Sequence, residues 1–179
     1  MVELRLNELG ILQQLADVGS GRLDLGIVRL PVKSLPLDVT IASLYREPII
    51  LAIPGRHPLA RRRSVPLEAL KNERFVAVQI QEGVGFNAQV AEMCATFGLS
   101  PQITQRAGQF VALAGMVAGG LGLAFVPDSL RHLQIPDVAY RSLAGSTQQS
   151  DLAIVYRKSE RAPAVVSFIG HMRKSTKQG

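Results

Sequence analysis

"GSGRLDLGIVR", residues 19–29, sets three glycines, one aspartate and a closing arginine around a short apolar run. Just upstream, residues 10–18 (GILQQLADV) put Ile11, Leu15 and Val18 on one helical face. The order is therefore helix, glycines, apolar run. A glycine loop that cradles a dinucleotide phosphate needs strand, glycines, and then a helix whose N-terminus faces the anion. The spacing G-x-x-x-x-G-K-[ST] is absent as well. Gly19 and Gly21 read as the C-terminal cap of a helix, LDLGIV as a buried strand, and Arg29 as the residue just past that strand.

The same grammar recurs twice. Residues 86–97 (FNAQVAEMCATF) carry Phe86, Val90, Met93 or Cys94, and Phe97 at helical spacing; Gly98 ends that helix and QITQ follows as a strand. Residues 109–118 place Phe110, Leu113, Ala114 and Val117 on a stripe, and GGLG closes it before LAFVP. Helix, glycine cap and short strand in repetition predict an α/β fold with parallel strands. VELRLNE alternates with Val2, Leu4 and Leu6 on one face and reads as a strand. DVTIASL and PIILAIP read as an extended pair, and RFVAV, VAYRSL and SDLAIVYR as further strands. RHPLARRRSVPLE reads as a polar loop, and residues 163–173 as a last amphipathic helix.

The 179 residues suffice for one domain or two small ones, and 47% hydrophobic with 19% charged residues is a globular composition. The formal charge of +6 suits an acidic small molecule, work close to nucleic acid, or a basic surface with no dedicated partner. One cysteine, Cys94, excludes an internal disulfide framework and a cysteine zinc site, and favours the cytosol. The first ten residues lack the pattern of a secretory signal. No apolar run reaches the ~18 residues of a membrane span, so a cytoplasmic protein with no membrane partner is expected.

A search for catalytic chemistry yields little. His57, His132 and His171 lie far apart and fit no metal-ligand spacing, so neither a metal nor a cofactor is expected. Cys94 falls on the apolar stripe of its helix, where a cysteine is a small core residue more often than a nucleophile. PDSL at 127–130 is no nucleophile elbow. The positions that stand out follow strands, where ligands gather in open α/β sheets. Arg29 follows LDLGIV and Gln79 follows RFVAV. EGVGFN (82–87), with Gly85, Phe86 and Asn87, leads into a helix whose free N–H groups favour an anion, and Gln109 and Phe110 open the next helix. An arginine, an amide and helix N-termini equip a site to hold a carboxylate without transforming it. A structural ion pair of Arg29 is the competing reading. ARRR at 60–63 reads as a solvated loop, with nucleic-acid contact as the alternative.

VELRLNELGILQQLADVGSGRLDLGIVRLP resembles the regulatory domain of LysR-type transcriptional regulators, whose pattern runs strand, Glu, a helix with Gln and Leu, a glycine, then L-D-x-G-I and Arg-x-Pro. The likeness continues through LYREPIILAIPGRHPLA, FGLSPQI and ALAGMVAGGLGLAFVP, and so covers nearly the whole chain in order. It implies a periplasmic-binding-protein-like α/β fold of two subdomains with a ligand cleft between them: residues 1–78 with 156–179 as subdomain I, and 79–155 as subdomain II. It implies a non-enzymatic sensor of a small-molecule effector, an organic or aromatic acid, that assembles as a homodimer or tetramer. Promoter DNA would be met only through an N-terminal helix-turn-helix not contained in these residues. The family's domain also usually begins with another strand and helix, so an N-terminally truncated piece is expected. Carried over by resemblance, the effector site comprises Gly10, Ile11, Arg29, Gln79, Gly85, Phe86, Asn87, Gln109 and Phe110. Ile11 stands where many members have Ser or Thr, which points to a less polar effector or another pose. A solute-binding protein of a transport system is the alternative with the same fold, and a small α/β enzyme is a third.

Overall fold

A computed structural model describes residues 3–79 and 84–175. The elements are α1 (Ile11–Gly19), β1 (Leu25–Arg29), β2 (Val39–Pro54), β3 (Ser64–Pro66), β4 (Arg74–Val78), α2 (Gly85–Thr96), β5 (Gln102–Ala107), α3 (Phe110–Ala118), β6 (Ala124–Pro127), β7 (Val138–Ala144), β8 (Gln149–Arg157) and α4 (Pro163–Ser175). The chain divides into two compact units, one of residues 1–46, 83–86 and 151–179, the other of 47–82 and 87–150. The first crossing thus falls at Arg46/Glu47 inside β2, and not near Val78. DVTIASL and PIILAIP are one 16-residue strand and not a pair. Pro48 does not break it, because the fixed φ of proline is compatible with an extended chain.

In the first unit the opening stretch folds as its order predicts. The N–H of Ser20 reaches the carbonyl of Ala16 (3.0 Å), that of Gly21 reaches Val18 (3.1 Å), and β1 follows at Leu25. β1 pairs with β8, Leu25 opposite Tyr156 and Arg29 opposite Leu152, but the pairing is antiparallel and not the parallel one expected. β1 ends its sheet, so only Gly26 and Val28 are buried while Ile27 is 40% exposed. The alternation of β8 supplies two faces. Ala153 and Val155 join Leu15, Val18, Val28 and Val39 beneath α1, whereas Ile154 joins Leu44 and Ile169 beneath α4. Arg157 ties the end of α1 down, donating to the carbonyls of Val18 (3.2 Å) and Leu23 (2.8 Å) and pairing with Glu160.

Residues 3–10 form no strand, and Leu4 and Leu6 are 63% and 86% exposed. Alternation marks a face that burial would suit; a strand also needs a ladder, and none reaches this segment among the described residues.

The second unit is built on the buried half of β2. Ile49 to Ile53 are buried without interruption, since β6 and β7 both pair with this stretch. β4 and β5 are parallel, joined by α2, and Phe75 bridges to Leu123 on the other side of β4, also in parallel. This is the βαβ unit that the repeated grammar predicts. The 56–68 loop is more ordered than expected. It holds a 3₁₀ turn at Pro58–Arg61, β3 parallel to β7, and a second 3₁₀ turn from Leu67.

Candidate functional site

The nine residues singled out from the sequence fall into two groups, one in each unit. In the first unit, Gly10 caps α1 in extended conformation without a side-chain hydrogen bond, so the first amides of the helix receive none from its cap. Ile11 begins the helix half-buried, and Arg29 ends β1 half-buried. Gly85 closes the group. Its N–H donates to the carbonyl of Pro31 (2.7 Å), and its φ is +58°, a conformation that L side chains rarely adopt. A Cβ there would lie 2.7 Å from Ile11 Cδ1 and 3.4 Å from the Arg29 carbonyl oxygen, so a side chain would add a contact to the strain of the positive φ that favours glycine. Ile11, Arg29 and Gly85 are therefore immediate neighbours. Phe86 is 1% exposed, so its ring belongs to the core and its backbone is what it can offer a ligand.

In the second unit the parallel pair ends at Val78 and Ala107, and the residues after both ends come together. The N–H of Gln79 donates to the carbonyl of Ala107 (2.6 Å). Asn87 Nδ2, on the first turn of α2, donates to the carbonyl of Val78 (3.1 Å). Gln109 is the N-cap of α3, and its carbonyl accepts from the N–H of Leu113 (2.9 Å). Gln79 and Gln109 are exposed, while Asn87 and Phe110 are half-buried. The residues that follow β4 and β5 are thus neighbours at the carboxyl ends of the parallel pair.

One positioning residue escaped the sequence reading. Gln14 Nε2 donates to the carbonyl of Leu9 (2.9 Å), while its Oε1 accepts the N–H of Ile27 (2.9 Å). As an edge strand, β1 turns some N–H groups away from β8, and the Gln14 amide takes one of them. The start of α1, with Gly10 and Ile11, is thereby fixed against the strand that ends in Arg29. A polar residue facing a strand edge was the available signal, but the edge itself is visible only in the fold.

Cys94 is 3% exposed, and burial pushes its thiol from the ordinary 9.0 to about 11. Such a shift lowers the thiolate fraction about a hundredfold near neutral pH, and only the thiolate is nucleophilic. We expect a thiol reagent at pH 8 to label the native chain at least about a hundredfold more slowly than the urea-unfolded chain. Equal rates in the two states would contradict this burial. Among the described residues no cluster of three or more His, Cys, Asp or Glu is placed to share a metal, and no helix is long and apolar enough to cross a membrane.

Comparison with known proteins places these features in a family. The model of the LysR substrate binding domain matches residues 1–177. The HTH-type transcriptional regulator AlsR of Bacillus subtilis (strain 168) is 29% identical over 94% of this chain and 55% of its own length. The uncharacterized HTH-type transcriptional regulator YnfL of Escherichia coli (strain K12) is 30% identical over 96% of this chain and 57% of its own. The chain thus spans a little over half the length of these relatives. Among solved structures, the BenM effector binding domain with its effector benzoate superposes with a TM-score of 0.82 at 23% identity, over 96% of this chain and 78% of that one. The effector binding domain of QuiR in complex with shikimate gives 0.81 at 19% identity, over 94% and 79%. These likenesses establish the fold as the mixed α/β, periplasmic-binding-protein-like one. With strands, helices and family model in agreement over almost every residue, the chain belongs to the LysR substrate binding domain family.

Proposed function

We propose that this chain is the effector-sensing part of a LysR-type transcriptional regulator and that its effector is a small organic or aromatic acid. The observation that carries the reading is the family match over residues 1–177. The relatives reported above are transcriptional regulators, which favours this reading over a transport protein of the same fold. In this proposal the two units are the regulatory subdomains. Ile11, Arg29 and the backbone at Gly10, Gly85 and Phe86 are the candidate effector-binding groups of the first unit, and Gln79, Asn87, Gln109 and Phe110 those of the second. DNA binding belongs to the half of the relatives' length that this chain does not match. The protein works in the cytoplasm as a homodimer or tetramer, and the effector biases its conformational equilibrium only by its differential affinity for the competing states. No catalytic step is assigned.

Arg29 provides the acid selectivity. A guanidinium holds a carboxylate through charge-assisted, often bidentate hydrogen bonds. The neighbouring Ile11 offers apolar contact and no hydroxyl, so the effector combines a carboxylate with an apolar body. The test is a thermal-shift screen with benzoate, shikimate and a set of short acyclic acids, followed by calorimetry on any that bind. At least one carboxylate raises the melting temperature, and Arg29→Ala weakens its binding about tenfold or more, since hydrogen bonds to charged groups contribute roughly 1.5–3 kcal/mol. Unchanged affinity in the variant would remove Arg29 from the site. A screen in which uncharged aromatics bind and no acid does would overturn the acid reading.

A further inference from the structure

The four-residue run ARRR, read from the sequence as a solvated loop, does not stand alone in the fold. Within the second unit, Arg61, Arg62 and Arg63 share a concavity of about 310 Å³ with Arg131, Tyr140, Arg141 and Ser142. Two pieces of chain meet here because β3 runs parallel to β7, with Ser64 opposite Ser142. Arg141 closes the arrangement. Its Nε and Nη2 donate to the carbonyl of Ala60 (3.0 and 2.5 Å), and its Nη1 donates to the carbonyl of Tyr140 (2.8 Å). These bonds fix the guanidinium against the 3₁₀ turn that presents Arg61. Carbonyl oxygens satisfy N–H groups but leave the positive charge uncompensated, and two of the five N–H donors of a guanidinium remain beyond those three bonds.

Acid is scarce around this cluster. Arg131 pairs with Asp128 (2.6 Å), whereas Arg61, Arg62, Arg63 and Arg141 make no ion pair among the described residues. Two buried polar atoms on residues that line it, the Tyr140 hydroxyl and Arg131 Nε, have no hydrogen-bond partner among the described residues. A buried hydroxyl without a partner costs free energy unless something else supplies the bond. Uncompensated guanidinium groups and two unsatisfied buried atoms thus gather around one open, shallow concavity.

We propose that this concavity binds a small molecule bearing two or more linked phosphates, with Tyr140 hydrogen-bonding a phosphate oxygen. Guanidinium forks match phosphate oxygens in geometry. The count of uncompensated arginines calls for more negative charge than a single carboxylate brings. A concave site favours a compact oligophosphate over the backbone of a duplex, which needs an extended convex or grooved contact. None of these residues belongs to the groups proposed for the acid effector, so the site is separate in chemistry and in sequence.

Calorimetry of the whole chain with inorganic pyrophosphate and tripolyphosphate, at fixed ionic strength, tests the assignment. Tripolyphosphate is expected to bind with saturable 1:1 stoichiometry and more tightly than pyrophosphate. Arg61→Gln, Arg62→Gln and Arg63→Gln combined should weaken it at least about tenfold with an unchanged melting temperature, since all three side chains are exposed. Tyr140→Phe keeps every charge and should weaken binding about fivefold, the equivalent of one lost hydrogen bond. Arg29→Ala should leave it unchanged, so this site and the acid site fail or succeed separately. Equal competition by sulfate at the same ionic strength, full affinity in Tyr140→Phe, or binding of a random-sequence DNA duplex without binding of tripolyphosphate would each overturn the proposal.

Discussion

Replacing Phe75 by Ala lowers the free energy of unfolding by about 4 kcal/mol, the expected range for removing a large aromatic side chain from a packed interior being roughly 3–5 kcal/mol. Phe75 is 2% exposed and its ring stacks on Phe125, with centroids 5.0 Å apart and planes inclined by 16°. The pair holds two strands on which the second unit depends: β4 carries Phe75, and β6 carries Phe125. The backbone around Phe75 is committed too. Its carbonyl accepts from Thr104 Oγ1 (3.2 Å), and the register with β5 shifts between Phe75 and Val76. Neighbours held this way cannot collapse far into the vacated space, which places the cost toward the upper part of the range. Urea unfolding followed by circular dichroism reads the effect, with Ile103→Ala on β5 as the control. Ile103 is 42% exposed and should lose less than about 1 kcal/mol. Equal losses in the two variants would mean that the Phe75–Phe125 stack is not central to the second unit.

Local order was the legible part of the sequence. The helix ending at Gly19, the strand at Leu25–Arg29 and the helix–strand alternation from Gly85 to Pro127 follow from apolar spacing and from glycines, which act within a few residues. Partnership was not legible. VELRLNE has the alternation of a strand and forms none, because alternation describes one face and says nothing about a ladder. Tyr45, Arg46 and Glu47 separate the two strands read from the sequence, yet β2 passes through them. Glu47 is 1% exposed and its Oε2 accepts the N–H of Ser129 (2.5 Å), a contact across 82 positions. The candidate site divides the same way. Arg29, Gly85 and Gln109 were visible from their places at strand and helix ends. Gln14 was not, since its function depends on which edge of β1 lies open, and neither was the arginine concavity, which needs β3 beside β7 to bring residues 61–63 to residues 140–142.

Gly122→Ala is expected to cost about 3 kcal/mol, a large effect for the addition of one methyl group. Gly122 has φ +157°, and a Cβ there would lie 2.8 Å from the Arg74 carbonyl oxygen, 3.1 Å from the Arg74 carbonyl carbon and 3.2 Å from that of Phe75. All three are backbone atoms, so no side chain can rotate out of the way. The approach is close because the N–H of Leu123 donates to the Arg74 carbonyl and the N–H of Val76 donates to the Leu123 carbonyl, both at 2.8 Å. An alanine must lengthen that pair of bonds or displace β4. Gly98→Ala separates strain from contact: Gly98 has φ +61° with nothing within 4 Å of the added carbon, so it meets only the conformational penalty of roughly 1–2 kcal/mol. The excess cost at Gly122 should appear as a lower urea midpoint and as faster hydrogen exchange at Val76 and Leu123. The consequence extends toward the candidate site, because β4 ends in Val78, whose carbonyl holds Asn87, and leads directly into Gln79. Combined with Phe75→Ala, the substitution should cost less than the two separate effects together, since both loosen the same junction of β4 with the segment before β6. Strict additivity, or a loss no greater than that of Gly98→Ala, would show that the close backbone contact is relieved without moving β4.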